Sequence, residues 1–156
     1  MTVAPQAFRD TLKLFASGIT IVTATLDGDR FGMTCTSFAS VSLEPPLVIV
    51  CLEHDSHTLA AVSGAKRFAV SILGADQEDV ARSFARPGDK PFDQFPNRPG
   101  PNGAPLIEES IGWLACDVES NVASGDHNIV VGRVENLAAA EGPPILYFNR
   151  DYRRLS

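Results

Sequence analysis

The sequence predicts an α+β protein, mainly β, built on an antiparallel barrel. Three observations carry that prediction. About six short runs rich in β-branched residues are bounded by turn signals. Helical stretches stand between these runs or at one end, and no regular strand-helix-strand rhythm recurs, which disfavours a parallel doubly wound sheet. The 156 residues suit a single domain spanning 1–156, large enough to bury its own core.

The elements follow in chain order. Phe8, Leu12 and Phe15 recur at helical spacing and Gly18 stands as a C-cap, so residues 5–17 should form an amphipathic helix whose stripe packs on the core. From Ile19 the period becomes two: "ITIVTATL" reads as a strand, and "DGD" at 27–29 turns it into "RFGMT". "PLVIVCLE" at 46–53 is an unbroken apolar run, which predicts a strand covered on both faces. Ser56 is placed to cap a short helix through about Ser63, and "RFAVSIL" supplies the next strand. "DQEDVARSFA" at 76–85 has an acidic first turn and a basic last turn, as a helix dipole favours. Residues 87–105 hold six of the eleven prolines and read as an ordered excursion or lid. "GWLACDVESNV" alternates, with Leu114, Cys116, Val118 and Val122 on one face and Asp117, Glu119 and Asn121 on the other. It turns at "ASGDH" into "NIVVGRVENL", and "ILYF" at 145–148 gives a last strand.

Composition removes several classes of function. A net charge of -6 opposes nonspecific binding to nucleic acid or anionic membranes, so neither is expected as a partner. No apolar run approaches the length of a membrane span. Arg9, Asp10 and Lys13 interrupt the N-terminal stretch where a signal peptide needs its apolar region, which points to a cytoplasmic location. Cys35, Cys51 and Cys116 are odd in number and far apart, arguing against a disulfide framework or structural zinc. His54 and His57 in "HDSH" lack a third ligand at suitable spacing, so no metal is expected. Nucleotide-binding glycine loops and the Gly-x-Ser-x-Gly elbow are both missing from the chain.

Two stretches carry positive chemical signal. "GMTCTSFASVSLEPP" gathers Thr34, Thr36, Ser37, Ser40 and Ser42 between two strands. Their hydroxyls either satisfy turn and edge amides or line a planar polar ligand such as a flavin. Ser56, His57 and Thr58 at a helix start suit a phosphate, although capping alone accounts for Ser56. The second stretch, Gly125-Asp126-His127, sets an imidazole in a turn ahead of a strand, either as a solvated turn or as part of a site.

The segments "FRDTLKLFASGITIVTA", "GMTCTSFASVSLEPPLVIVCL", "SHTL", "RFAVSIL", "SGDHNIVVGRV" and "ILYFNRDYRRL", in that order, resemble the flavin reductase family. These proteins are the reductase components of two-component flavin monooxygenases. The resemblance implies an FMN-binding split β-barrel, antiparallel and Greek-key, with flanking helices, assembled as a homodimer. It implies FMN or FAD as flavin, NADH or NADPH as reductant with NADH preferred, and a partner monooxygenase or halogenase that takes up diffusible reduced flavin. On this chain it assigns flavin contacts to Met33, Thr34, Cys35, Thr36, Ser37, Cys51, Ser56, His57, Thr58, Phe84, Ala85 and Lys90. Gly125, Asp126 and His127, with Tyr152 and Arg153, fall in segments that resemble the nicotinamide-nucleotide site. Asn128 stands where threonine is commoner in the family, and Pro91 is an insertion beside Lys90. No obligatory catalytic acid or base is implied. A flavin-binding electron carrier or sensor of the same fold is the alternative.

Overall fold

A computed structural model describes residues 2–156. In chain order the elements are α1 (Pro5–Leu12), β1 (Ser17–Gly18), β2 (Thr20–Leu26), β3 (Asp29–Cys35), β4 (Phe38–Ser42), β5 (Leu47–Glu53) and α2 (His57–Ala65). There follow β6 (Arg67–Ile72), α3 (Glu78–Ala85), β7 (Asn97–Pro99), β8 (Pro105–Ile107), β9 (Gly112–Ser124), β10 (His127–Ala139), β11 (Ile145–Phe148) and β12 (Asp151–Arg154).

The main sheet has seven antiparallel strands in the order β3-β2-β6-β9-β10-β5-β4. β3 and β4 occupy its opposite edges, yet only Thr36 and Ser37 separate them in sequence. That link reaches about 11 Å at most, so the sheet has to curl until its edges approach. Where β3 closes on the β4–β5 edge, Cys35 Sγ at the end of β3 lies 3.9 Å from the Cys51 carbonyl oxygen of β5. The result is the antiparallel barrel expected from the sequence, split along one seam. β1, β11 and β12 form a separate small sheet, and β7 pairs with β8 inside the proline-rich excursion.

Two apolar clusters lie on the two faces of β2. Val22 packs with Val50, Leu52, Val62, Phe68, Val70 and Val130 beneath α2. Its neighbour Ile21 points the other way, joining Leu73, Phe84, Phe92 and Ile145 beneath α3. Both residues are fully buried. β2 is therefore covered on both sides, and its buried threonines Thr20 and Thr23 donate their hydroxyls to the carbonyls of Cys35 and Pro105.

The structure departs from the sequence reading at three places. The first helix ends at Leu12, and Gly18 is paired to Leu146 in β1 instead of capping. Its stripe of Phe8, Leu12 and Phe15 is 59%, 52% and 78% exposed, so it packs on no core within this chain. β5 buries Val48, Val50 and Leu52 and leaves Leu47, Ile49 and Cys51 half-buried, so only one of its faces is covered. In β9 the register shifts between the pairs Gly132↔Val118 and Val131↔Ser120, leaving Glu119 as an extra residue. This bulge reverses the alternation beyond it, and Val122 emerges 58% exposed.

Gly132 is the glycine that packing most requires. A Cβ there would lie 2.4 Å from Phe68 Cζ and 2.9 Å from Cys116 Cβ, atoms at the centre of the larger cluster. Gly132→Ala should destabilise the fold by about 3 kcal/mol through overpacking, read as a lower denaturant midpoint with unchanged slope. An unaltered midpoint would show that Phe68 can step aside freely.

Candidate active site

A cavity of about 680 Å³ opens where β3, the end of β5, the start of α2 and the end of α3 converge. Each wall has a local cause. Ser56 Oγ accepts from the Leu59 amide at 3.1 Å and so fixes where α2 begins. The amides of the helix's first turn then point out of its end, toward the cavity side where Ser56, His57 and Thr58 stand. On the opposite wall Phe84 is fully buried and packs edge-to-face on Phe92 at 5.0 Å. Gly32 makes that possible, since a Cβ there would meet Phe92 Cζ at 3.0 Å and Phe84 Cε1 at 3.2 Å.

Three cations border the cavity. Lys90 Nζ donates to the carbonyls of Phe84 at 3.1 Å and Arg86 at 2.6 Å, holding the C-terminal end of α3. Burial pushes its pKa down, and its third N–H remains for an anion. Arg30 reaches Asp93 at 2.7 Å and Asn97 at 3.2 Å, with its guanidinium 5.0 Å from the Phe92 ring centre. It thereby ties the proline-rich excursion to β3. Arg86 completes the set.

The Gly125-Asp126-His127 turn is not part of the cavity's lining; strand register sets it next to a residue that is. His127 pairs with Glu53, and Glu53 lines the cavity. The His54 amide donates to the Asp126 carbonyl at 2.9 Å, closing the turn onto the end of β5. Gly125 has φ of 64°, a left-handed conformation that suits glycine. His127 Nδ1 lies 2.7 Å from Asp126 Oδ1, and this hydrogen bond, with the charge behind it, holds the Asp126 carboxyl below its ordinary pKa. With Nδ1–H so engaged, Nε2 is the free ring nitrogen.

Of the residues singled out from the sequence, Met33, Thr34, Ser56, His57, Thr58, Phe84, Ala85 and Lys90 line the cavity. The Thr34 hydroxyl donates to the Ala81 carbonyl at 2.6 Å, which engages its proton with α3. Cys35, Thr36, Ser37 and Cys51 lie along the barrel seam beside the cavity rather than in its wall. There Ser37 Oγ donates to the Cys51 carbonyl at 2.9 Å and lies 3.3 Å from Cys35 Sγ. Tyr152 and Arg153 stand apart on β12. Tyr152 lies beneath the Arg82 guanidinium at 4.5 Å and against Tyr147, and Arg153 reaches Asp151 at 3.6 Å. Arg30 and Glu53 were missed. Neither belongs to a motif, and both enter the site only through the strand ends that carry them.

The chain has relatives of known family. The family described as "Flavin reductase like domain" matches residues 12–156. The chain belongs to this flavin reductase family. It is 40% identical over 151 residues to the reductase component of 4-hydroxyphenylacetate 3-monooxygenase from Thermus thermophilus, covering 96% of each chain. It is 39% identical to the flavin-dependent monooxygenase reductase subunit HsaB of Mycobacterium tuberculosis, covering 96% of this chain and 82% of that one. The NADH:FAD oxidoreductase SgcE6 of Streptomyces globisporus, solved with NAD and FAD fragments, superposes with a TM-score of 0.93. Identity there is 34%, over 100% of this chain and 97% of that one. A Rhizobium meliloti relative, 40% identical over 131 residues, is longer, and the chain spans 42% of it. Among the described residues no helix is long and apolar enough to cross a membrane, and no metal-binding cluster occurs.

The thiols differ in accessibility. Cys35 and Cys116 are buried, and burial pushes Cys35 up and Cys116 up to about 12. At pH 8 neither should react with a thiol reagent in the folded flavin reductase, and both should react after unfolding in guanidinium. Peptide mapping after iodoacetamide treatment checks this, and rapid native labelling at Cys116 would contradict the packing described.

Proposed function

We propose that this protein is an NADH:flavin oxidoreductase that reduces FMN or FAD and releases the reduced flavin to a partner monooxygenase or halogenase. The observation that supports this best is the strand register that pairs His127 of the Gly-Asp-His turn with Glu53, a residue of the cavity wall. A volume of about 680 Å³ is within the range of small-molecule sites. Its chemistry is divided as a flavin requires, with apolar Met33 and Phe84, hydroxyls and amides at the start of α2, and cations at the end of α3.

When bound, the flavin supplies the acceptor for hydride from the nicotinamide. The chain's residues therefore need only bind, orient and exclude water. Ser56, His57 and Thr58 hold the phosphate arm with the helix amides, and the free N–H of Lys90 adds charge there. Met33, Thr34, Phe84 and Ala85 bound the ring, while Cys35, Thr36, Ser37 and Cys51 fix the seam behind it. Gly125, Asp126 and His127 form the nicotinamide wall, with Asp126 holding the imidazole. Tyr152 and Arg153, which stand apart from the cavity on β12, would meet only the part of the nucleotide that extends beyond it.

NADH is preferred on this reading because the relative SgcE6, an NADH:FAD oxidoreductase, was solved with NAD. A cytoplasmic location accords with NADH supply. A homodimer is supported by the exposed apolar residues Phe8, Leu12, Leu14 and Phe15 near the N-terminus and Val41 and Leu43 at the end of β4, which a second chain would remove from water.

The test of function is NADH oxidation at 340 nm with excess FMN or FAD, repeated with NADPH. Multiple turnovers with NADH are expected, and His127→Ala should raise KM for NADH by about tenfold with little change in flavin affinity. Flavin binding without oxidation would instead favour an electron carrier or sensor. Sedimentation equilibrium at micromolar concentration should give a dimer, and Phe15→Glu with Leu43→Glu should shift it toward monomer. A wild-type monomer would remove the assembly.

A further inference from the structure

The tip of the β9-β10 hairpin carries the Gly-Asp-His turn, and residues 119–126 are all exposed. Few apolar side chains anchor it, so its position depends on what else holds it. On one edge β5 pairs with His127, Asn128 and Ile129. On the inner face a line of side-chain hydrogen bonds crosses to α2. His54 Nδ1 lies 2.9 Å from Asn128 Oδ1, which can only accept, so the imidazole donates. Asn128 Nδ2 donates to Asn121 Oδ1 at 2.8 Å, and Asn121 Nδ2 donates to Ser63 Oγ at 2.9 Å. Ser63 Oγ donates to the Leu59 carbonyl at 2.8 Å. Each donor meets an acceptor and the line ends on the backbone of α2.

The bulge at Glu119 creates this line. Uninterrupted alternation would set Asn121 on the outer face with Asp117 and Glu119; the extra residue turns it inward, to the side of Asn128, Val130 and α2. Toward the tip, Asn121 and Asn128 continue the inner face that Val118 and Val130 occupy nearer the core. Polar contacts thus take over where apolar packing ends.

We propose that Asn121 and Asn128 are positioning residues. They lock the hairpin tip bearing His127 to α2, the helix whose start forms the phosphate seat, so that the nicotinamide wall and the flavin seat are held as one unit. The proposal rests on the flavin reductase reading above. It assigns a role to Asn128, whose side chain accepts from His54 and donates to Asn121.

The test compares Asn121→Leu with Asn121→Asp, alone and combined with His127→Ala. Leucine breaks the line. Aspartate keeps the tie to α2, because one carboxylate oxygen accepts from Asn128 Nδ2 as before and the other accepts from the Ser63 hydroxyl, which turns to it from the Leu59 carbonyl. Asn121→Leu should raise KM for NADH by about three- to tenfold with kcat within about twofold, the scale of one lost hydrogen bond. Asn121→Asp should restore KM. In the His127→Ala background Asn121→Leu should add nothing, since the tip it positions no longer carries the imidazole. Ser63→Ala, which breaks the line on an exposed helix face that tolerates alanine, should repeat the KM effect if Asn121→Leu fails to fold. The proposal is overturned by unchanged KM in both Asn121→Leu and Ser63→Ala, by failure of aspartate to rescue, or by additive effects with His127→Ala. If His127→Ala itself leaves KM unchanged, the nicotinamide reading falls and takes the proposal with it; raised KM there with a silent Asn121→Leu overturns the positioning role alone.

Discussion

The two-residue connection between β3 and β4 is the constraint on which the rest of the structure depends. Because those strands sit at opposite edges of a seven-stranded sheet, their short link is satisfied only by curling the sheet on itself. Curling puts the end of β5 beside the end of β3, and the space between them is what α2 and α3 border. The cavity is therefore a product of closure. Polar groups at the seam serve that closure first: Ser37 Oγ donates to the Cys51 carbonyl at the end of the β4–β5 ladder, and Cys35 Sγ of β3 packs against both groups. A polar segment that looks like a ligand wall in sequence is also the stitching of the barrel, and one residue can perform both tasks.

The walls of the site are fixed by different forces. The side toward α3 is aromatic and buried, with Phe84 and Phe92 in contact over Gly32, and deforming it would open a void in the core. The Gly-Asp-His turn beside the cavity has no comparable packing. It is held by strand pairing to β5 and by exposed side-chain hydrogen bonds, each a small net contribution because water competes. A firm floor with a weakly held turn beside it suits a site where one ring must stay aligned while another comes and goes. When the cofactors carry the chemistry, alignment is what the protein contributes.

Much of this was legible in the sequence because period and turn chemistry are local. Asp27-Gly28 gave the first hairpin, Ser56 gave the start of α2, and the acidic and basic ends of "EDVARSFA" gave α3. Eight of the flavin residues inferred from motif resemblance came together in one cavity for the same reason, since short motifs travel with the strand and helix ends that carry them. Other features depend on long-range pairing. The bulge at Glu119 arises from the register between β9 and β10, which no window on β9 alone contains. Arg30 and Glu53 become site residues through the ends of paired strands, and a lone arginine after a turn gives no sign of that.

The N-terminal stripe shows a deeper limit of reading by periodicity. Phe8, Leu12 and Phe15 have the spacing of a core-facing helix, and the outer face of β5 has the unbroken apolar run of a covered strand. In this chain both look outward, with Phe15 78% exposed and Ile49 and Cys51 only half-buried. The hydrophobic effect rewards removal of apolar area from water whatever removes it, so a surface covered by a second chain has the same pattern as one covered by its own. The same sequence signal thus yielded a correct element and an incorrect partner for it. Burial patterns tell which faces are apolar, and only the closed chain shows which of those faces it covers itself.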